Sequence, residues 1–170
     1  MIRRLLFLFC IAAVVAVVFR TFVVEGIYIA SASMEPTLSV GSHFFLQKLG
    51  YRFHPPRRGD IVVFSLPEMR AHDMVKRVIG LPDERIEIKD KSVFINGVLY
   101  NEPYVKHTRP GEALEDDSVP EMVVPHNSYF VMGDNRDESN DSRDWKDSRT
   151  GEHIYFVTAR QIKGALILPF

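Results

Sequence analysis

The stretch SASMEPTL, residues Ser31–Leu38, is the part of the sequence around which the rest of the chain is organised. It places Ser31 and Ser33 two positions apart and follows them with Pro36, which fixes φ and ends regular backbone hydrogen bonding. Such a stretch can hold a hydroxyl on a rigid corner, which suits a nucleophile, and Ser33 is our candidate. Serine and proline are also common turn formers, so the same letters are typical of a polar turn between strands.

The segment before this turn is strongly apolar. Between Arg4 and Glu25 the only charged residue is Arg20. If Arg20 extends to the interface, residues 5–24 supply about the 20 positions needed to cross a bilayer. We therefore predict an uncleaved transmembrane anchor at residues 1–24, with a cytoplasmic N-terminus because basic residues precede it. A cleaved secretory signal is the alternative, but no Ala-x-Ala exit followed by polar residues is present.

Composition excludes several classes of protein. The 170 residues suffice for one domain, expected at residues 25–170, in addition to the anchor. A net charge of −1 leaves no basic field, so we expect no nucleic-acid partner. Cys10, the only cysteine, lies in the apolar segment, which excludes an intrachain disulfide and a cysteine nucleophile. We expect a monomer.

The remainder of the chain has a mainly β pattern, without repeats or a long amphipathic helix. The strongest local signal is Asn96-Gly97 between two apolar runs, which predicts a β-hairpin over Val93–Tyr100. Other runs rich in β-branched and aromatic residues predict strands at His43–Leu49, Ile61–Phe64, Met74–Ile79, Tyr129–Met132, Ile154–Val157 and Ile162–Leu168.

Two polar segments interrupt these strands. Residues 101–120 are rich in proline and acidic side chains, which predicts a mobile surface excursion without chemistry. Residues 133–143 form the densest polar stretch and predict a structured loop or a calcium site. Calcium fails on spacing, because a site that starts at Asp134 puts Arg136 on the third ligand position. We therefore expect no metal.

Lys76 stands inside an otherwise apolar strand. A strand lysine most often lies at a sheet edge, where it discourages aggregation. The functional alternative is a buried neutral amine that acts as a general base. The apolar neighbours Val75, Val78 and Ile79 would desolvate the amine and lower its pKa from about 10.4.

A serine nucleophile needs a base, and histidine is the commonest. A Ser-His-Asp triad is not excluded by spacing, since triads form between distant residues, but the chain has no Gly-x-Ser-x-Gly elbow. The histidines also lack the paired spacing of a zinc site. They are His43, His54, His72, His107, His126 and His153.

Four ordered segments resemble the bacterial type I signal peptidases. They are the Ser33–Leu38 turn and the stretches RGDIV at 58–62, KRVIGLP at 76–82 and GDNRDESNDSR at 133–143. The resemblance extends from the apolar segment to Gly164. It implies a transmembrane helix followed by a coiled antiparallel β-sheet. It also implies a serine endopeptidase without a cofactor, held in the plasma membrane with its catalytic domain extracytoplasmic, that removes signal peptides from preproteins.

The same resemblance assigns roles to individual residues. Ser33 corresponds to the acylating nucleophile, Lys76 to the general base, and Ser139 to the hydroxyl that orients the lysine amine. Ser31 resembles the second donor to the oxyanion, beside the Ser33 N–H. Supporting roles fall to the ion pair of Asp141 with Arg143 and to the loop residues Asp134 and Arg136.

Substrate contacts are expected from the apolar residues around the dyad. Ile27 and Ile29 should point the same way from a strand, and Met34 and Val75 adjoin the nucleophile and the base. Shallow apolar pockets would admit Ala, Gly or Ser at P1 and P3 and exclude larger groups. The expected partners are preprotein signal peptides and membrane lipid.

Two features depart from the family pattern. Residues 144–153 look inserted, and Thr158 stands where proline is common, so the geometry of this loop cannot be predicted. Two alternative functions stay open, a dedicated maturation peptidase of a conjugation or secretion system and a non-catalytic membrane-tethered β-domain. The second would be expected to lack Ser33 or Lys76.

Overall fold

The computed structural model describes residues 2–22, 24–67 and 73–168 as one helix followed by a mainly β domain. Helix α1 comprises Ile2–Phe22. The strands are β1 Val24–Tyr28, β2 His43–Gln47, β3 Ile61–Phe64, β4 Met74–Gly80, β5 Arg85–Lys89, β6 Ser92–Ile95, β7 Val98–Leu99, β8 Val119–Val123, β9 Ser128–Met132, β10 Val157–Thr158 and β11 Ile162–Ile167. In the part of the chain that is described, no helix combines the length and apolar composition required to cross a membrane.

The strands form two antiparallel sheets. The larger sheet has the order β1-β2-β11-β3-β4-β9-β10, and the smaller sheet has the order β7-β6-β5-β8. Strand β3 is buried along its whole length, as its run of β-branched and aromatic residues predicts. The mainly β fold and the antiparallel sheet expected from the sequence are therefore confirmed.

The hairpin between β6 and β7 also forms where the sequence predicts it. Asn96 and Gly97 both have positive φ, 51° and 78°, which is the backbone conformation of a two-residue type I′ turn. Asparagine and glycine tolerate this conformation better than other residues, so the turn follows from the local sequence alone.

The predicted strand at Ile154–Val157 is wrong for its first three residues. Only Val157 belongs to β10. The N–H of Ile154 instead donates to the carbonyl of Trp145 at 2.9 Å. Trp145 is fully buried against Phe64, which fixes the position of its loop. The Ile154 N–H is therefore bonded to this loop and is not available to a neighbouring strand.

Candidate active site

The Ser31–Leu38 stretch forms a short 3-10 turn at Ala32–Met34 immediately after β1. The turn is anchored to the hydrophobic core because the side chains of Met34 and Leu38 are fully buried. Ser33 is 7% exposed, whereas Ser31 is exposed to solvent. The two hydroxyl oxygens lie 3.2 Å apart. The predicted rigid corner is therefore present, with one hydroxyl sheltered and the other reachable from solvent.

Lys76 lies in the middle of the larger sheet, since β4 is paired with β3 on one side and β9 on the other. This position rules out an edge lysine. Its side chain is 5% exposed, and among the described residues no hydrogen bond or ion pair reaches its amine. Burial lowers the pKa of Lys76 from its ordinary value to about 8, although nearby carboxylates oppose this effect. The amine can therefore be neutral in mildly alkaline solution.

Ser33 and Lys76 line one groove of about 150 Å³. The groove also contains three of the side chains predicted to contact substrate, Ile29, Met34 and Val75. The described residues that line it are Tyr28, Ile29, Ala30, Ser31, Ser33, Met34, Asp73, Met74, Val75 and Lys76. Ile27, the fourth predicted contact, is half-buried and packs against the core beneath this region.

Histidine is not positioned as an alternative base in the described part of the molecule. His126 is exposed and lies 3.1 Å from Asp83, and His107 lies 3.4 Å from Asp137. His72 falls outside the described residues. No described histidine lines the groove of Ser33 and Lys76.

The polar loop at residues 133–143 is buried except at Glu138 and Asn140, and Asp141 at its centre is fully buried. The Ser139 hydroxyl donates to Asp141 Oδ2 at 2.7 Å, and the Gly133 N–H donates to the same oxygen at 3.0 Å. Arg143 donates through Nε to Oδ1 at 2.9 Å. Burial alone would raise the pKa of Asp141, but Arg143, Lys76 and the Gly133 N–H hold it below its ordinary value. The predicted ion pair of Asp141 with Arg143 is therefore present.

Ser139 was expected to orient the lysine amine. Its hydroxyl proton is directed to Asp141, which leaves its lone pairs as acceptors for an N–H. The role of Ser139 towards Lys76 stays a prediction.

The loop is attached to the nucleophile turn through Asn135, which is not among the predicted site residues. The Asn135 side chain donates through Nδ2 to the Ala32 carbonyl at 3.2 Å. Its backbone N–H donates to the Ser33 carbonyl at 3.1 Å. Asn135 therefore fixes the backbone that carries the candidate nucleophile.

A second attachment joins the base strand to the same loop. Arg77 follows Lys76 in β4 and projects from the opposite face of the strand. It makes a bidentate contact with Asp134, at 2.8 Å to Oδ1 and 2.6 Å to Oδ2. Thr37 donates to the same carboxylate, and the Tyr104 ring lies 3.9 Å from the guanidinium. Asp134 therefore links the polar loop to β4 through Arg77, and the roles predicted for Asp134 and Arg136 in shaping the loop stay predictions.

The excursion at residues 101–120 is not the loose surface segment that its composition predicts. Glu102 pairs with the buried Arg136 at 2.5 Å, and Asp116 pairs with Arg143 at 2.7 Å. The N–H of Lys106 donates to the Asp134 carbonyl at 2.8 Å. Composition failed here because polar and acidic residues resemble a solvated loop unless their long-range partners are known.

Within residues 2–22, 24–67 and 73–168, no group of three His, Cys, Asp or Glu side chains is arranged to hold a metal ion. The carboxylates of the polar loop are instead paired with Arg77 and Arg143.

Comparisons with known proteins identify one family. A family model described as signal peptidase, peptidase S26, matches residues 2–170. A probable signal peptidase I-2 from Synechocystis sp. is 40% identical over 139 residues, which cover 79% of this chain and 61% of that protein. A signal peptidase I from Bacillus licheniformis is 41% identical over 138 residues, which cover 78% of this chain and 73% of that protein.

A solved structure is also similar to this chain. It is a signal peptidase I from Enterococcus faecalis V583, with 31% sequence identity and a TM-score of 0.49. The match covers 66% of this chain and 97% of that one.

Proposed function

The chain belongs to the signal peptidase family, peptidase S26, and on this premise we propose that it is a serine endopeptidase that cleaves N-terminal signal peptides from exported preproteins. The observation that carries this proposal is the shared groove of Ser33 and Lys76. A sheltered hydroxyl and a buried amine with a lowered pKa, which has no ion-pair partner among the described residues, are the two groups that a Ser/Lys mechanism requires.

The proposed reaction proceeds through an acyl-enzyme. The neutral Lys76 amine accepts the Ser33 hydroxyl proton while Oγ attacks the scissile carbonyl carbon. The resulting ammonium donates that proton to the leaving amine as the peptide bond breaks. Water then hydrolyses the ester on Ser33, with Lys76 again accepting and returning a proton.

The negative charge that develops on the carbonyl oxygen needs donors in fixed positions. We assign this role to the Ser33 N–H and the Ser31 hydroxyl. The 3.2 Å distance between the Ser31 and Ser33 hydroxyl oxygens supports this assignment, because it puts the Ser31 donor beside the attacking atom. Asn135 contributes indirectly by holding the Ser33 carbonyl.

The described part of the N-terminal helix does not meet the requirements for a membrane span, but the exposure of its side chains supports our proposal that residues 1–24 form a single-pass anchor with a cytoplasmic N-terminus. Its described apolar side chains are exposed, between 46% and 73% for the large hydrophobic residues Ile2, Leu5, Leu6, Phe7, Leu8, Phe9, Ile11, Val14, Val15 and Val17. Exposed apolar side chains on a helix are solvated more favourably by lipid than by water. The helix is followed after Val23 by β1, so an anchor would hold the catalytic domain close to the extracytoplasmic face.

The function can be tested directly with preproteins. The detergent-solubilised protein is incubated with several unrelated radiolabelled preproteins, and the new N-termini are mapped. We expect cleavage after the signal peptide of each one and no cleavage by Ser33→Ala. Cleavage of a single preprotein would indicate a dedicated maturation peptidase, and cleavage of none would contradict the proposal.

The pH dependence of cleavage should follow the lysine base. We expect kcat/KM to rise with pH through about 8, because burial lowers the pKa of Lys76 to about 8 and only the neutral amine accepts a proton. The measurement is the pH profile of kcat/KM for one preprotein. A rise near pH 6.5 that is lost on replacement of His126, or of His72 outside the described residues, would point to a histidine base.

Specificity at P1 and P3 should be restricted to small residues. The groove is only about 150 Å³ and has the apolar walls Ile29, Met34 and Val75, so we expect Phe at P1 to lower kcat/KM about 100-fold relative to Ala. Rates for a preprotein series with Ala, Leu, Phe and Asp at each position test this. Ile29→Ala should broaden acceptance at P1, whereas Val98→Ala on the distant strand β7 should not. Equal rates for Ala and Phe would show that the pocket lies elsewhere.

A further inference from the structure

Asp144 is the first residue of the stretch 144–153 that departs from the family pattern, and its carboxylate holds the backbone of Asp141. Asp144 Oδ2 accepts the Asp141 N–H at 3.1 Å. In return, the Asp144 N–H donates to the Asp141 carbonyl at 2.9 Å. These reciprocal bonds fix the turn from which Asp141 reaches the Ser139 hydroxyl.

Asp144 lies near Arg143, and so does Asp116, a carboxylate from a distant part of the chain. Arg143 is 5% exposed and contacts Asp141 through Nε and Asp116 through Nη1, at 2.9 Å and 2.7 Å. Both Asp116 and Asp144 line two cavities of about 290 Å³ and 410 Å³, and Ser139 lines the second of them. Asp144 is therefore half-buried, whereas Asp141 is completely enclosed.

The charge on Asp144 acts on the catalytic amine. Burial, together with the neighbouring Asp141, raises the pKa of Asp144 to about 6, so the group is charged in the range where the lysine titrates. Its negative charge favours the ammonium form of Lys76, as do those of Asp141 and Asp134, while Arg143 opposes them. The other titratable and charged groups around Asp144, in the cavities it lines, are Arg109, Glu115, Asp116, Asp137, Glu138, Lys146, His153 and Tyr155.

We propose that Asp144 is a positioning residue for the Ser33–Lys76 dyad, which holds the Asp141 turn through its hydrogen bond and sets the pH range of catalysis through its charge. The inference rests on the proposed function. The stretch 144–153 would thereby help to position the dyad, which the groove residues alone do not do. The two parts of the role can be separated, because asparagine retains an acceptor for the Asp141 N–H but carries no charge.

The test is the pH profile of kcat/KM for Asp144→Asn in the full-length protein. Loss of a negative charge lowers the pKa of Lys76, so the rising limb of the kcat/KM profile should move to lower pH. Among the described residues Asp144 makes no ion pair with Lys76, so the shift should be smaller than the roughly 1–3 units of a contacting charge, about half a unit. Asp83→Asn is the matched control, because Asp83 is exposed on a distant turn with His126. Its limb should coincide with that of the wild type.

A limb that stays in place or moves to higher pH in Asp144→Asn would overturn the proposal. If Asp144→Asn does not fold, Asp144→Ser gives the same test, because its hydroxyl can also accept the Asp141 N–H. Asp144→Glu restores the charge and should restore the wild-type limb. Failure of the proposed function would look different, since the wild-type protein would then not cleave preproteins at all.

Discussion

Ser33→Ala and Lys76→Met should each lower kcat/KM for preprotein cleavage by at least about 10⁴-fold, while the fold is retained. The two groups line one groove, in which the remaining described polar side chains are Tyr28, Ser31 and Asp73, and none of these supplies a second amine. Without the amine the hydroxyl stays protonated, and without the hydroxyl the amine has no proton to accept. The double variant should therefore be no worse than either single variant, because nucleophile and base act as one unit.

Matched controls separate chemistry from folding. Ser92→Ala and Lys89→Met make the same chemical changes at exposed positions of the smaller sheet and should leave cleavage unchanged. Lys76→Met should not lower the free energy of unfolding at pH 7, because the wild-type protein buries an amine that has no partner among the described residues. Near-normal cleavage by either single variant with a normal circular dichroism spectrum would disprove the dyad.

The local sequence was sufficient to predict the elements that interactions within a few residues determine. The Asn96-Gly97 turn and the apolar run of β3 form as predicted, because backbone preference and burial both act within a few residues. The run Ile154–Phe156 has the same composition as a strand but gives its first N–H to Trp145. That competition depends on the core position of a residue nine places earlier, which no period-2 pattern can reveal.

The site shows the same division between local and long-range causes. A lysine in an apolar strand is visible in the sequence, but its choice between sheet edge and interior depends on whether β9 pairs beside β4. The contact of Arg77 with Asp134 and that of Asp116 with Arg143 join segments far apart in the chain. Each of these residues alone is typical of a solvated surface, so only the fold could identify them as supports of the site.

The closest packing in the site occurs at Gly133, where the polar loop passes the nucleophile turn. A Cβ at this position would overlap the Ser139 hydroxyl and would lie 2.5 Å from the Ser33 carbonyl oxygen. The first neighbour is a side chain that also bonds Asp141, and the second is backbone of the candidate nucleophile itself. Neither can move without changing the geometry of the reacting groups. Glycine is therefore required here by close approach and not by φ.

Gly133→Ala should consequently lower kcat/KM by at least about 100-fold, since displacement of a reacting group by about 1 Å has an effect of this size. Overpacking of a buried site should also lower the free energy of unfolding by about 1–3 kcal/mol. The matched control is Gly111→Ala, because a Cβ at Gly111 meets no atom within 4 Å. Preprotein cleavage and urea unfolding are measured for both variants. The loss of cleavage should be larger than partial unfolding alone would cause, because the overlap falls on Ser33 and Ser139 and not on the hydrophobic core. If Gly133→Ala cleaves at the rate of the Gly111→Ala control, the nucleophile turn and the polar loop can separate without loss of function. That result would contradict the supporting role that we assign to this loop.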